Sequence, residues 1–85
     1  MRLVSAGWVT LGENGAVYVT EANEKGVLEL SALGAPQRRI GSDVLKGAQG
    51  VAVAGRLLYV ADSEANVVAV YDLETGKRVH PHSVQ

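Results

Sequence analysis

Oxygen-bearing side chains gather at the ends of two apolar runs in this chain. Glu21, Asn23, Glu24 and Lys25 follow the first run, and Asp62, Ser63, Glu64 and Asn66 follow the second. Ser42, Asp43 and Lys46 lie in the stretch between them. Carboxylates ringing one opening would suit a hard cation such as calcium, which takes several oxygen ligands. A structural use competes with this chemistry. Asp and Asn side chains in turns accept hydrogen bonds from nearby backbone amides. Glu21 and Asp62 are also equivalent positions of an internal repeat, and a position repeated along a chain is usually structural. The structural use is favoured, and no metal is assigned. Glu21, Glu24, Asp43, Asp62, Glu64 and Asn66 stand as the candidate ligand-facing residues.

Other chemistry is sparse. His80-Pro81-His82 is the one histidine cluster, the chain has no cysteine, and its carboxylates are remote from that cluster in sequence. Two histidines in a terminal tail fall short of a metal site. No serine sits in a G-x-S-x-G setting, no glycine-rich phosphate loop occurs, and no carboxylate pair stands out by spacing. Ser5 and Ser83 read as surface residues. Trp8 reads as a blade-core aromatic, with a place at the channel mouth as the alternative. Neither catalysis nor a cofactor is expected of this chain.

The positioning elements must come from 85 residues, enough for one domain with a modest core. The apolar set is nearly all Val, Leu and Ala, with three Tyr and no Phe. That mixture, together with ten glycines, favours strands joined by tight turns. Eight basic and nine acidic residues are scattered along the chain for a net charge of −1. Nucleic-acid and anionic-membrane binding are therefore not expected. No run approaches transmembrane length, and Met1 to Gly7 is too short in apolar residues for a signal peptide. The expectation is a soluble chain whose compartment is open, a periplasmic or extracellular parent included.

Gly50 to Val79 holds the clearest pattern. Val51–Val53, Leu57–Ala61, Val67–Tyr71 and the more polar Lys77–Val79 are short β-type runs separated by turn residues. A shift of 41 lays Ala16–Glu21 over Leu57–Asp62, and Val27–Ser31 over Val68–Asp72. Upstream the shift is 42, pairing Val9–Leu11 with Val51–Val53, and the slip falls in a turn, where length changes are absorbed. The first copy then predicts strands at Trp8–Leu11, Ala16–Thr20, Gly26–Ser31 and Gln37–Ile40, with Asn14-Gly15 supplying positive φ in the first turn. Pro36 and the Arg38-Arg39 pair suit an outer edge. A period of roughly 40–45 residues with four short strands matches one propeller blade, and helical repeats fail for want of helical periodicity. Leu58 and Val60 point one way while Leu57, Tyr59 and Ala61 point the other. These strands expect cover on both faces, and two blades alone leave two apolar faces bare.

The run Leu58-Tyr59-Val60-Ala61-Asp62-Ser63, then Asn66 to Asp72 and Thr75-Gly76-Lys77, resembles a blade of the NHL and YVTN class of β-propellers. Val17-Tyr18-Val19-Thr20-Glu21 resembles it less closely, with Ser31 where that class has an aspartate after the third strand. The likeness covers about 70 of the 85 residues. It implies the blade architecture, and it places the candidate loops on one face of the ring. It does not fix a function, because fold and function are separable.

The expectation is thus an all-β chain with two four-stranded antiparallel blades, at 6–41 and 49–80, and a tail at 81–85. A closed propeller takes about four to eight blades. The partner expected is the chain itself: a trimer gives six blades, the number the resemblance favours, and a tetramer gives eight. The expected role is a structural repeat or binding scaffold. The alternative is a fragment of a propeller enzyme, lactonase-like or quinoprotein dehydrogenase, or of an extracellular sensor.

Overall fold

The computed structural model describes residues 6–21, 25–42, 45 and 47–79. Its strands are β1 (Ala6–Leu11), β2 (Val17–Glu21), β3 (Val27–Leu30), β4 (Pro36–Ile40), β5 (Ala48–Ala54), β6 (Leu57–Asp62) and β7 (Val67–Asp72). They form two antiparallel sheets, ordered β1-β2-β3-β4 and β5-β6-β7. No α-helix occurs among the described residues, so no helix there is long and apolar enough to cross a membrane. The chain is all-β, and its two sheets do not close a ring.

Local chemistry explains the strand ends. The β1–β2 loop is a 3-10 turn over Glu13–Gly15, with φ of 64° at Asn14 and 81° at Gly15. Asn and Gly are the residues that enter this region with least strain. The loop is closed by Gly12 N–H donating to the Ala16 carbonyl at 2.8 Å. Gly26 opens β3 at φ 83°, and a Cβ there would lie 2.7 Å from the Ile40 carbonyl oxygen. The sharp entry and the close approach of β4 both require glycine.

The second sheet departs from expectation. The sequence predicts a fourth strand at Lys77–Val79, but only a single bridge, Tyr71 to Arg78, forms there. Asp72 N–H donates to the Lys77 carbonyl at 2.9 Å and Val79 N–H to the Val70 carbonyl at 2.7 Å. Lys77 and Arg78 bring no apolar side chain to the core, so little beyond backbone pairing holds this segment. Among the described residues this sheet has three strands. The join is shorter than expected, because β5 begins at Ala48.

Strand registers recur between the sheets. Val9 pairs with Val19 and Val51 with Val60; Val17 pairs with Leu30 and Leu58 with Tyr71. Each second pair is the first carried forward by one repeat. The register irregularities also correspond, falling after Ala6 in β1 and after Ala48 in β5.

The main core lies between the sheets. Tyr18, Val27 and Ile40 of the first sheet meet Val51, Leu58, Val60, Ala69 and Tyr71 of the second, with Leu45 from the join. Period-2 alternation sends Leu58, Val60 and Asp62 to this side and Leu57, Tyr59 and Ala61 to the other. Two polar ties cross the core. Thr20 Oγ1 accepts from Trp8 N–H at 2.9 Å and donates to the Gln49 carbonyl at 3.2 Å. Arg38 donates from Nε to Glu29 Oε1 at 2.8 Å and from Nη2 to the Leu73 carbonyl of the second sheet. A smaller cluster, Val19, Leu28 and Leu30 with Val17, occupies the far side of the first sheet.

Candidate functional site

Two of the candidate carboxylates, Glu21 and Asp62, are engaged in structure. Glu21 ends β2 and Asp62 ends β6, paired respectively with Ala6 and Ala48. Glu21 is buried and meets Arg39 Nη2 at 2.6 Å. Register puts Arg39 opposite Leu28, and Leu28 opposite Val19, so the guanidinium crosses β3 to reach Glu21. The Arg39 stem thereby lies over Leu28, an apolar use of a long charged side chain. Asp62 is also buried, and its Oδ1 accepts from Gly47 N–H at 2.8 Å and Ala65 N–H at 3.2 Å. It ties the join to the β6–β7 turn.

Glu64 is exposed, with its stem beside Gly47, where a Cβ would lie 2.7 Å from Glu64 Cγ. Asn66 is exposed in the turn before β7, at φ 59°. Glu24 and Asp43 lie outside the described residues, as do Asn23, Lys46 and the His80-Pro81-His82 cluster. Among the described residues no three His, Cys, Asp or Glu side chains gather as a metal would require. The Asn66 side chain has a conformational role, which gives a test. Asn66→Ala is expected to cost about 1 kcal/mol in urea unfolding, the strain of a β-carbon at positive φ, whereas Asn66→Gly leaves stability within about 0.5 kcal/mol. A binding role for the amide would leave glycine no better than alanine.

The feature with the strongest demand for a partner is apolar. Beyond the core, the second sheet presents Ala52, Leu57, Tyr59, Ala61, Val68 and Val70 on its other face. Tyr59 is 36% exposed and Val68 63%. A groove of about 270 Å³ runs over this face, and Trp8 reaches it from β1 across the glycine at position 50. Trp8 is 61% exposed, so its assignment to the core is corrected. The indole lines this groove together with Gly50, Ala52, Tyr59, Ala61 and Val68 of the second sheet. At one end the face is bounded by Arg56, which meets Asp72 at 2.9 Å and Glu74 at 3.6 Å. Hydrogen bonds from Arg56 and from the Glu74 backbone hold the Asp72 carboxyl below its usual range. An apolar field with a polar rim is how association surfaces are built.

The far side of the first sheet differs from the second bare face expected. Val19, Leu28 and Leu30 on it are buried, and Val9 and Leu11 are the exposed members, Leu11 at 70%. Arg39, read from the sequence as an edge guard, folds across this side instead. Arg38 turns between the sheets, where Glu29 also accepts from the Tyr18 hydroxyl at 2.7 Å. Burial, reinforced by the Glu29 carboxylate, pushes the Tyr18 phenol up to about 12. No pattern in the sequence pointed to this Tyr18–Glu29–Arg38 triad, although Tyr18 and Glu29 lie directly opposite on neighbouring strands. No protein-family model matches the chain, and neither a curated protein nor a solved structure matches it.

Proposed function

We propose that the chain is a two-blade β-propeller unit acting as a structural scaffold, which closes its ring with copies of itself. Three chains would supply six blades. One observation carries this reading. The open face of the second sheet bears Tyr59, Val68 and Ala61 where the first sheet, one repeat earlier, has Tyr18, Val27 and Thr20. In the first sheet that face is the one the second sheet covers. A surface that is buried in one copy of a unit and open in the next is the signature of a stack that continues. The resemblance of Leu58–Asp62 and Asn66–Asp72 to NHL and YVTN blades supports the same reading. Scaffold is the role because Glu21 and Asp62, the repeat-equivalent carboxylates at the strand ends, serve the fold.

Light scattering on a size-exclusion peak tests the proposal. The trimer is expected at three times the 8.9 kDa mass of the chain, and a tetramer at four times that mass. A folded species at 8.9 kDa at every concentration would sink it. A divalent ion or organic cofactor held through purification would move the reading to the propeller-enzyme fragment.

A further inference from the structure

We infer that the open face of the second sheet is the docking surface for the far side of the first sheet of a second copy, head to tail. This rests on the reading of the chain as a self-completing unit and names the two surfaces that meet. Within one chain, the second sheet seats Val51, Val53, Leu58, Val60, Ala69 and Tyr71 on or beside the core against the first sheet. Stepping each position back by one repeat gives Val9, Leu11, Val17, Val19, Leu28 and Leu30. All six are apolar, and all lie on the far side of the first sheet by register. Of these six, Val9 and Leu11 are exposed and form the part of that side open to a second copy, while Val19, Leu28 and Leu30 are already buried within the chain. A copy placed by the same step would cover Tyr59 and Val68 with the side that carries Val9 and Leu11.

The polar accounting agrees. The far side of the first sheet carries Glu21 and Arg39, which are already paired with each other at 2.6 Å, so docking brings in no single unpaired charge. The second sheet has lost the polar groups that key the internal interface. Ala61 stands for Thr20, Val70 for Glu29 and Val79 for Arg38. The contact between copies is therefore drier than the one inside the chain. It is expected to hold or tighten in sulfate, which strengthens apolar burial, rather than weaken as ion-paired contacts do. Two different surfaces meeting head to tail is the arrangement that generates rings.

Val68→Asp and Leu11→Asp test the pairing, since both side chains are more than half exposed and their loss leaves the core intact. Each variant alone is expected at 8.9 kDa with the wild-type circular dichroism, and with Trp8 emission shifted to the red of the assembled wild type. Their equimolar mixture, at high concentration, is expected at twice the chain mass, because one intact surface remains on each partner. Variants that retain the wild-type mass overturn the assignment of the faces while leaving the scaffold reading intact. A variant that dimerises alone, or a mixture that stays monomeric, overturns the head-to-tail pairing. A wild type that never assembles overturns this inference together with the scaffold reading.

Discussion

Replacing Leu58 by alanine is expected to lower the unfolding free energy by about 3 kcal/mol, within the range of roughly 2–5 for buried leucine truncations. Leu58 is fully buried at the centre of the interface between the sheets, on β6, the middle strand of its sheet. Strands on either side hold the backbone in register, so the neighbourhood has little freedom to collapse into the space left behind. The cavity cost therefore adds to the lost transfer energy. A chain of this size is stable by only about 4–13 kcal/mol at 0.05–0.15 per residue. The substitution removes a large share of that. A fall of about 12–24 °C in melting temperature follows, at 4–8 °C per kcal/mol for a domain of this length. Leu33→Ala is the control, because Leu33 is 97% exposed and its loss should stay within about 0.5 kcal/mol. Urea unfolding at one fixed chain concentration measures both, since assembly makes apparent stability depend on concentration. An equal effect at Leu58 and Leu33 would mean that the two sheets do not share a core.

That core was visible in the sequence as a set of faces. Alternation along Leu57–Ala61 separates two sides, and Asn14-Gly15 and Asp62–Asn66 mark where strands must stop. The turn slip between shifts of 41 and 42 reappears as the paired registers of β1–β2 and β5–β6. These features are local, and local chemistry settles them. What covers each face is not local. The structural use favoured for Glu21 was legible from the repeat, but its partner was not, because Arg39 is distant in sequence and reaches it across an intervening strand. Trp8 looked like core because an indole is large and apolar. The groove that it lines instead belongs to the other sheet, across Gly50, Ala52, Tyr59, Ala61 and Val68, and no local spacing reveals it. Asp62 was legible because an aspartate that accepts from the amide of Ala65, within the same turn, leaves its mark in spacing alone. The fourth strand at Lys77–Val79 failed for a reason that strand propensity does not register: two of its three side chains, Lys77 and Arg78, give the core nothing apolar to bury.

Raising the pH from about 10 to 12 is expected to cost roughly 2–3 kcal/mol of stability through Tyr18 alone. The Tyr18 hydroxyl donates to Glu29 in a buried position between the sheets, so ionising it would place a phenolate beside a carboxylate away from water. The folded chain therefore holds the proton until about pH 12, whereas the unfolded chain releases it near the ordinary value of 10.0. Between those values the unfolded state binds fewer protons than the folded state, so stability falls as pH rises, by about 1.4 kcal/mol per unit. Below pH 10 the contribution is fully present. Tyr18→Phe isolates it, because the other tyrosines and the lysines titrate alike in both proteins. Near pH 8 the phenylalanine variant should be less stable by about 1 kcal/mol, the net value of the lost hydrogen bond. Glu29 retains Arg38 in that variant, which limits the loss. As pH rises the difference should shrink, vanish and change sign before pH 12. Parallel urea midpoints for the two proteins across this range would show that Tyr18 titrates normally and that the triad does not hold the sheets together. A crossing would place the proton on Tyr18 in the folded state, and with it Glu29 as the acceptor that joins the phenol to Arg38 and, through the Leu73 carbonyl, to the second sheet.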